Sequence, residues 1–152
     1  MPHHAALRTA TCLFALSLPF SAALAVDPKV PDGFTIEKVA GHPLLKRPIF
    51  AGFDDTGRLF VGESNGENLR RDEMLAKKPH WISCLEDTDG DGVFDKSTRF
   101  VEDITLPQGC LWYRGSLYAA CPPSIWKFTD TDGDGKADER KEILTGFGFS
   151  GN

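Results

Sequence analysis

Two nine-residue stretches carry the clearest chemistry in this chain: "DTDGDGVFD" at Asp87–Asp95 and "DTDGDGKAD" at Asp130–Asp138, starting 43 residues apart. Each sets aspartates at loop positions 1, 3, 5 and 9 and glycines at 4 and 6. Closely spaced carboxylates on a tight loop suit a hard cation, and calcium takes six to eight oxygen ligands of this kind. The expected ligands of the first site are Asp87, Asp89, Asp91, the backbone carbonyl of Val93, and Asp95. Those of the second are Asp130, Asp132, Asp134, the carbonyl of Lys136, and Asp138. Without a cation, four such carboxylates repel one another by about 1 kcal/mol per pair at 4 Å even in water. Magnesium, which demands a strict octahedron and keeps its waters, is the weaker candidate. A helix–loop–helix hand would place Glu at position 12, where this chain has Thr98 and Lys141. The loops are therefore expected between strands, with a structural role.

The segments that must hold these loops repeat as well. Ile82, Leu85 and Asp87 recur as Ile125, Phe128 and Asp130, and Phe100-Val101 recurs as Ile143-Leu144. Each loop thus joins an apolar incoming strand to an apolar outgoing one. Upstream of each lies a hairpin pattern. Pro48–Ser64 turns at Asp54–Gly57, and Leu106–Cys121 turns near Arg114-Gly115. Gly33–Ala40, with Phe34, Ile36 and Val39, reads as a further half-buried strand. The polar stretch from Ser64 to Trp81 reads as a surface insertion with room for one helical turn. Four strands in about 40–45 residues is the period of a β-propeller blade. The expected fold is all-β: an incomplete propeller of about two four-stranded antiparallel blades. Propellers close with roughly four to eight blades, so the chain reads as an N-terminal fragment or a truncated reading frame.

The first 25 residues hold one basic residue, Arg8, an apolar run, and Ala23-Leu24-Ala25. This is the layout of an export signal, with cleavage expected after Ala25. Residues 26–32 are then a lead-in, and residues 33–152 carry the blades. An uncleaved anchor is the alternative, but Ser17, Pro19 and Ser21 interrupt the run. The destination is periplasmic or extracellular, with or without membrane association. Cleavage leaves 127 residues with a formal charge of −6. Arg70-Arg71 and Lys77-Lys78 are short pairs beside acids rather than a basic patch, so no nucleic-acid partner is expected.

Cys84, Cys110 and Cys121 remain after cleavage. In an oxidising compartment Cys110 and Cys121 could bridge across their hairpin, or all three could be small buried apolar residues. There is no C-x-x-C-H for haem attachment and no zinc-ligand spacing. Gly146, Gly148 and Gly151 spell G-x-G-x-x-G, but without the strand and helix a dinucleotide site requires. His42, His80, Ser64 and Ser83 form no arrangement that sequence can tie to catalysis, so catalytic and cofactor-binding residues stay unassigned.

Val30-Pro31-Asp32-Gly33-Phe34, the two G-x-L-[FY]-[VA] hairpins, and "DTDGDGKADERKEILTGFG" carry a family resemblance. The chain resembles the N-terminal part of the exported membrane-bound dehydrogenase-like proteins of planctomycetes. Their propeller is similar to the glucose/sorbosone dehydrogenase domain. The resemblance implies a complete form that binds pyrroloquinoline quinone (PQQ), oxidises a small-molecule sugar or alcohol, and passes electrons to a cytochrome c-type acceptor. None of that family's catalytic residues can be carried onto positions in this chain. A non-catalytic calcium-binding propeller for glycans or proteins is the alternative. A dockerin-type calcium repeat comes third, because it would put helices after each loop.

Overall fold

The computed structural model describes residues 28–148, so the expected export signal at residues 1–25 lies outside the described residues. The chain divides into two units, Met1–Ile36 and Glu37–Asn152. In the first, the described residues form no helix or strand and make a turn at Asp32-Gly33, where the Phe34 N–H donates to the Pro31 carbonyl at 3.2 Å.

The second unit is built from two four-stranded antiparallel sheets. The first contains β1 (Pro48–Phe53), β2 (Leu59–Glu63), β3 (His80–Glu86) and β4 (Lys96–Ile104), in that spatial order. The second contains β5 (Cys110–Tyr113), β6 (Ser116–Cys121), β7 (Ser124–Thr129) and β8 (Glu139–Thr145), again in sequence order. One helix, α1 (Arg71–Lys77), interrupts the link from β2 to β3. β1 lies against β5, so the sheets meet at their first strands while β4 and β8 form the outer edges. These are two blades of a β-propeller that is not closed.

The hairpins follow from local chemistry. Arg114 and Gly115 both take positive φ, 47° and 74°, as a two-residue turn between right-twisted strands requires. At the β1–β2 turn the Asp54 carboxylate accepts from the Thr56 N–H and hydroxyl and from the Arg58 N–H and Nε. Gly57, at φ 91°, completes that turn.

Period-2 alternation then sends side chains to two buried faces. Phe60, Ile82, Cys84 and Phe100 of the first blade pack with Leu117, Ala119, Cys121 and Phe128 of the second. The Phe60 ring stacks on Trp112 across the joint at 5.2 Å and meets Phe100 edge-on at 4.9 Å. Full burial of each such side chain stabilises the fold by about 1.5–3 kcal/mol. The opposite face of the first blade, with Leu59, Val61, Leu85 and Phe94, lies under Ala40, Leu44 and Leu45. Glu63 is buried beside it and accepts from the Lys46 and Arg47 N–H groups, the Trp81 indole and the Ser83 hydroxyl.

Two sequence expectations change, and the two readings of the cysteines are separated. Gly33–Ala40 forms no strand, because no described strand lies beside it to supply a ladder, and Phe34 and Ile36 stay exposed. The insertion after β2 forms seven helical residues rather than one turn, anchored by buried Met74, whose sulfur lies 3.0 Å from His80 Nε2. Cys110 and Cys121 are free thiols, as is Cys84. Burial pushes Cys84 and Cys110 up to about 11 and Cys121 to about 12, which keeps all three thiols protonated at neutral pH.

Candidate metal-binding loops

Both acidic loops connect the third strand of a blade to its outer strand: Asp87–Asp95 joins β3 to β4, and Asp130–Asp138 joins β7 to β8. In an antiparallel sheet, alternate turns share an end. The first loop therefore stands at the same end of its blade as the Asp54–Gly57 turn. A strand precedes and follows each loop, as its flanking apolar residues require, and no helix flanks either one.

Inside each loop the backbone is wound around its own carboxylates. Asp87 accepts from Gly90 N–H at 2.7 Å and from Gly92 N–H at 2.9 Å, one on each oxygen. Asp130 accepts from Gly133 and Gly135 at the same two distances. Asp89 and Asp132 accept from the N–H groups of Asp91 and Asp134. Asp91 and Asp134 accept from those of Val93 and Lys136. The glycines at positions 4 and 6 have φ between 77° and 91°, the left-handed backbone that lets the loop coil so tightly.

Of the residues expected as ligands, Asp87, Asp89 and Asp91 each bring a carboxylate oxygen within 4.8 Å of the others, and so do Asp130, Asp132 and Asp138. The copies therefore differ at one member: Asp95 stands outside the first group and Asp134 outside the second. Val93 and Lys136 bond into the loops through their N–H groups. The aspartates at position 9 have a partner that sequence reasoning passed over. Asp95 accepts from Thr88 N–H and hydroxyl, and Asp138 from those of Thr131. The signal was available, since threonine occupies position 2 in both copies.

Hydrogen bonds to the charged form hold two carboxyls below the usual aspartate range. For Asp87 the main cause is the Gly92 N–H, with Gly90 assisting. For Asp138 it is the Thr131 N–H followed by its hydroxyl. Carboxylates gathered on one loop can coordinate a hard cation, because each oxygen that accepts one N–H keeps a second lone pair.

Two cavities lie elsewhere. One, of about 380 Å³, is lined by Lys78, Asp103, Ser124, Trp126, Arg140 and Glu142 among others. The other, of about 260 Å³, lies over Glu63, Trp81 and Arg99. Their arginines are already engaged. Arg140 donates to the Glu102 carbonyl, while Arg99 pairs with Glu102 and covers the Trp81 ring at 3.8 Å.

Comparison with known proteins fits this architecture. A family model described as "Domain of unknown function (DUF7133)" matches residues 25–152. No curated protein matches the chain. Among solved structures, the chain is similar to the holo form of the PQQ domain of pyranose dehydrogenase from Coprinopsis cinerea. The TM-score is 0.58 and the identity 19%, over 80% of this chain and 26% of that one. The chain thus spans about a quarter of that domain chain's length.

Proposed function

The chain belongs to the DUF7133 family, and on that premise we propose that it supplies two calcium-stabilised blades to an exported, PQQ-dehydrogenase-like propeller. The observation that carries this reading is the same acidic loop, wound the same way, at the same place in each blade of a fold that resembles a PQQ domain. Calcium in each loop would replace repulsion among the carboxylates by attraction and lock the outer hairpin to its blade. At ten to a hundred times its dissociation constant, calcium would add about 1.4–2.7 kcal/mol per site.

PQQ is an anionic quinone and calls for free cationic donors around an enclosed pocket. The described residues meet that requirement only in part, since Lys78 and Lys46 line the two cavities without an ion pair but acids lie beside them. Both cavities mix acids with bases, and their arginines are held by other partners. Quinone binding, oxidation of a sugar or alcohol, and transfer to a cytochrome c-type acceptor therefore belong in this proposal to the complete propeller. No step is assigned to residues of this chain. The alternative reading is a non-catalytic calcium-binding propeller that binds glycans or proteins. Titrating PQQ against the calcium-loaded chain separates the site requirements. An absorbance shift saturating at one quinone per chain would place the pocket in these two blades, against the assignment made here. Calorimetry with calcium tests the loops independently, and two sites of millimolar or tighter affinity are expected.

A further inference from the structure

Among the described residues, three that are not glycine have left-handed backbone, and two of them line one cavity. Lys78 at φ 45° and Asp103 at φ 57° both face the space of about 380 Å³ between the outer ends of the blades. Local structure puts them there. Lys78 caps α1, its N–H donating to the Met74 carbonyl at 2.9 Å, and the left-handed cap turns the chain towards β3. Asp103 sits in a bulge of β4: His80 pairs with Ile104 and Ile82 with Val101, so Glu102 and Asp103 together oppose Trp81. Such a bulge bends its strand and re-aims a side chain. The equivalent of Asp103 in the 43-residue repeat is Gly146, at φ 90°. Glycine takes that backbone freely, whereas an aspartate is strained there and brings a carboxylate to the cavity.

The other acid and base of the lining have partners. Arg140 donates Nη1 to the Glu102 carbonyl at 2.7 Å, tying β8 to β4, and Glu142 accepts from the Ser124 hydroxyl. Lys78 and Asp103 join no ion pair among the described residues. A lysine ammonium only donates and a carboxylate only accepts, so the cavity holds one unpaired group of each kind. Its apolar lining includes buried Ile104 and Phe128, and the half-buried Trp126 ring stacks on Phe128 at 6.3 Å, with 12° between their planes. The volume is that of a small-molecule site. We propose that this cavity binds a free α-amino acid as its zwitterion, with the ammonium on Asp103, the carboxylate on Lys78 and an aromatic side chain against Trp126. The physical reason is desolvation. A ligand entering the cavity strips water from both groups, and that cost is offset only where each meets an opposite charge. An anion would pair with Lys78 and repel Asp103, a cation would do the reverse, and a neutral polyol would neutralise neither. A zwitterion answers both, and an aromatic side chain gives Trp126 a stacking partner. The site involves neither acidic loop and no quinone, so it stands or falls apart from the proposed function.

Titration calorimetry on the full chain tests it, with L-phenylalanine, phenethylamine, phenylpropionate, N-acetyl-L-phenylalanine amide and glucose as probes. Phenylalanine should bind once per chain with a dissociation constant of about 1 mM or below. Loss of either charge from the probe should weaken binding roughly tenfold. Asp103→Gly and Lys78→Gly each remove one charge and keep the left-handed backbone, so the melting temperature should hold. Asp103→Gly should weaken phenylalanine roughly tenfold and leave phenylpropionate at least as tightly bound. Lys78→Gly should weaken phenylalanine equally and spare phenethylamine. No heat of binding at millimolar phenylalanine would overturn the proposal, as would equal affinity for the uncharged amide. Tighter binding of glucose would assign the cavity to a polyol and overturn it as well. Binding indifferent to both substitutions would place the amino acid elsewhere and sink the assignment. The probe series on the unsubstituted chain decides the question even where a variant fails to fold.

Discussion

Glu63 is buried in the first blade and accepts four hydrogen bonds there. Burial opposes its charge, but the Ser83 hydroxyl, the Lys46 N–H, the Trp81 indole and the Arg47 N–H outweigh that and hold its carboxyl below the usual glutamate range. Asp54 behaves likewise: burial opposes its charge, and Arg58 and Thr56 hold its carboxyl below the usual aspartate range. Because both folded values are depressed, the stability they confer is complete above the ordinary carboxylate range. It is lost as pH falls through the lowered values. Denaturant midpoints should therefore drop below about pH 4.5, and Glu63→Gln should flatten that slope. Glu63→Ala, which orphans several buried donors, should cost roughly 3 kcal/mol by chemical denaturation. In the acidic loops, the variant with Asp89→Ala and Asp132→Ala together should lose most of the calcium-dependent rise in melting temperature, with chelator reversing the rise in the unsubstituted chain. A melting curve indifferent to both calcium and chelator would leave the loops as self-bonded acidic turns.

At the scale of elements, the hairpins are held by turn backbone and the loops by their position-2 threonines. Gly115 sits at φ 74° with open space where a Cβ would stand, so Gly115→Ala is penalised by backbone strain rather than by a clash. A loss of about 1–2 kcal/mol is expected, measurable as a lowered denaturation midpoint. Thr88→Val or Thr131→Val removes one of the hydroxyl bonds to the position-9 aspartates. Each should cost about 1 kcal/mol. The second substitution should weaken calcium binding more than the first, since Asp138 belongs to its carboxylate group and Asp95 does not. Equal effects on the two sites would mean that the copies share one ligand set.

The molecule as a whole depends on the shared face between its blades. Phe60, Phe100 and Phe128 are all fully buried there, with Arg58 placed 5.6 Å from both the Phe60 and Trp112 rings. Phe100→Ala should cost about 3–5 kcal/mol, and both blades should lose hydrogen-exchange protection together, since each buries its core against the other. Protection lost in the first blade alone would mean that the blades fold independently. The proposed export predicts a mature N-terminus at Val26, to be read by N-terminal sequencing of material recovered outside the cytoplasm. A product that still begins at Met1 would count against it.

The two-blade architecture was legible in the sequence because its cause is local and repeated. Period-2 apolar runs, the Arg114-Gly115 turn and the 43-residue echo each specify a strand, a hairpin or a register without reference to distant residues. The acidic loops were legible for the same reason, since aspartates and glycines at fixed offsets determine how a short backbone coils. What sequence could not decide was which carboxylates converge. Asp95 and Asp138 occupy the same loop position, but whether one joins its neighbours depends on ångström-scale side-chain placement. Nor could alternation alone show that Gly33–Ala40 would stay unpaired, because a strand exists only where another backbone supplies its ladder. The buried hub at Glu63 was equally invisible. Its donors lie up to twenty residues away along the chain, and only folding the sheet brings Lys46, Trp81 and Ser83 around one carboxylate.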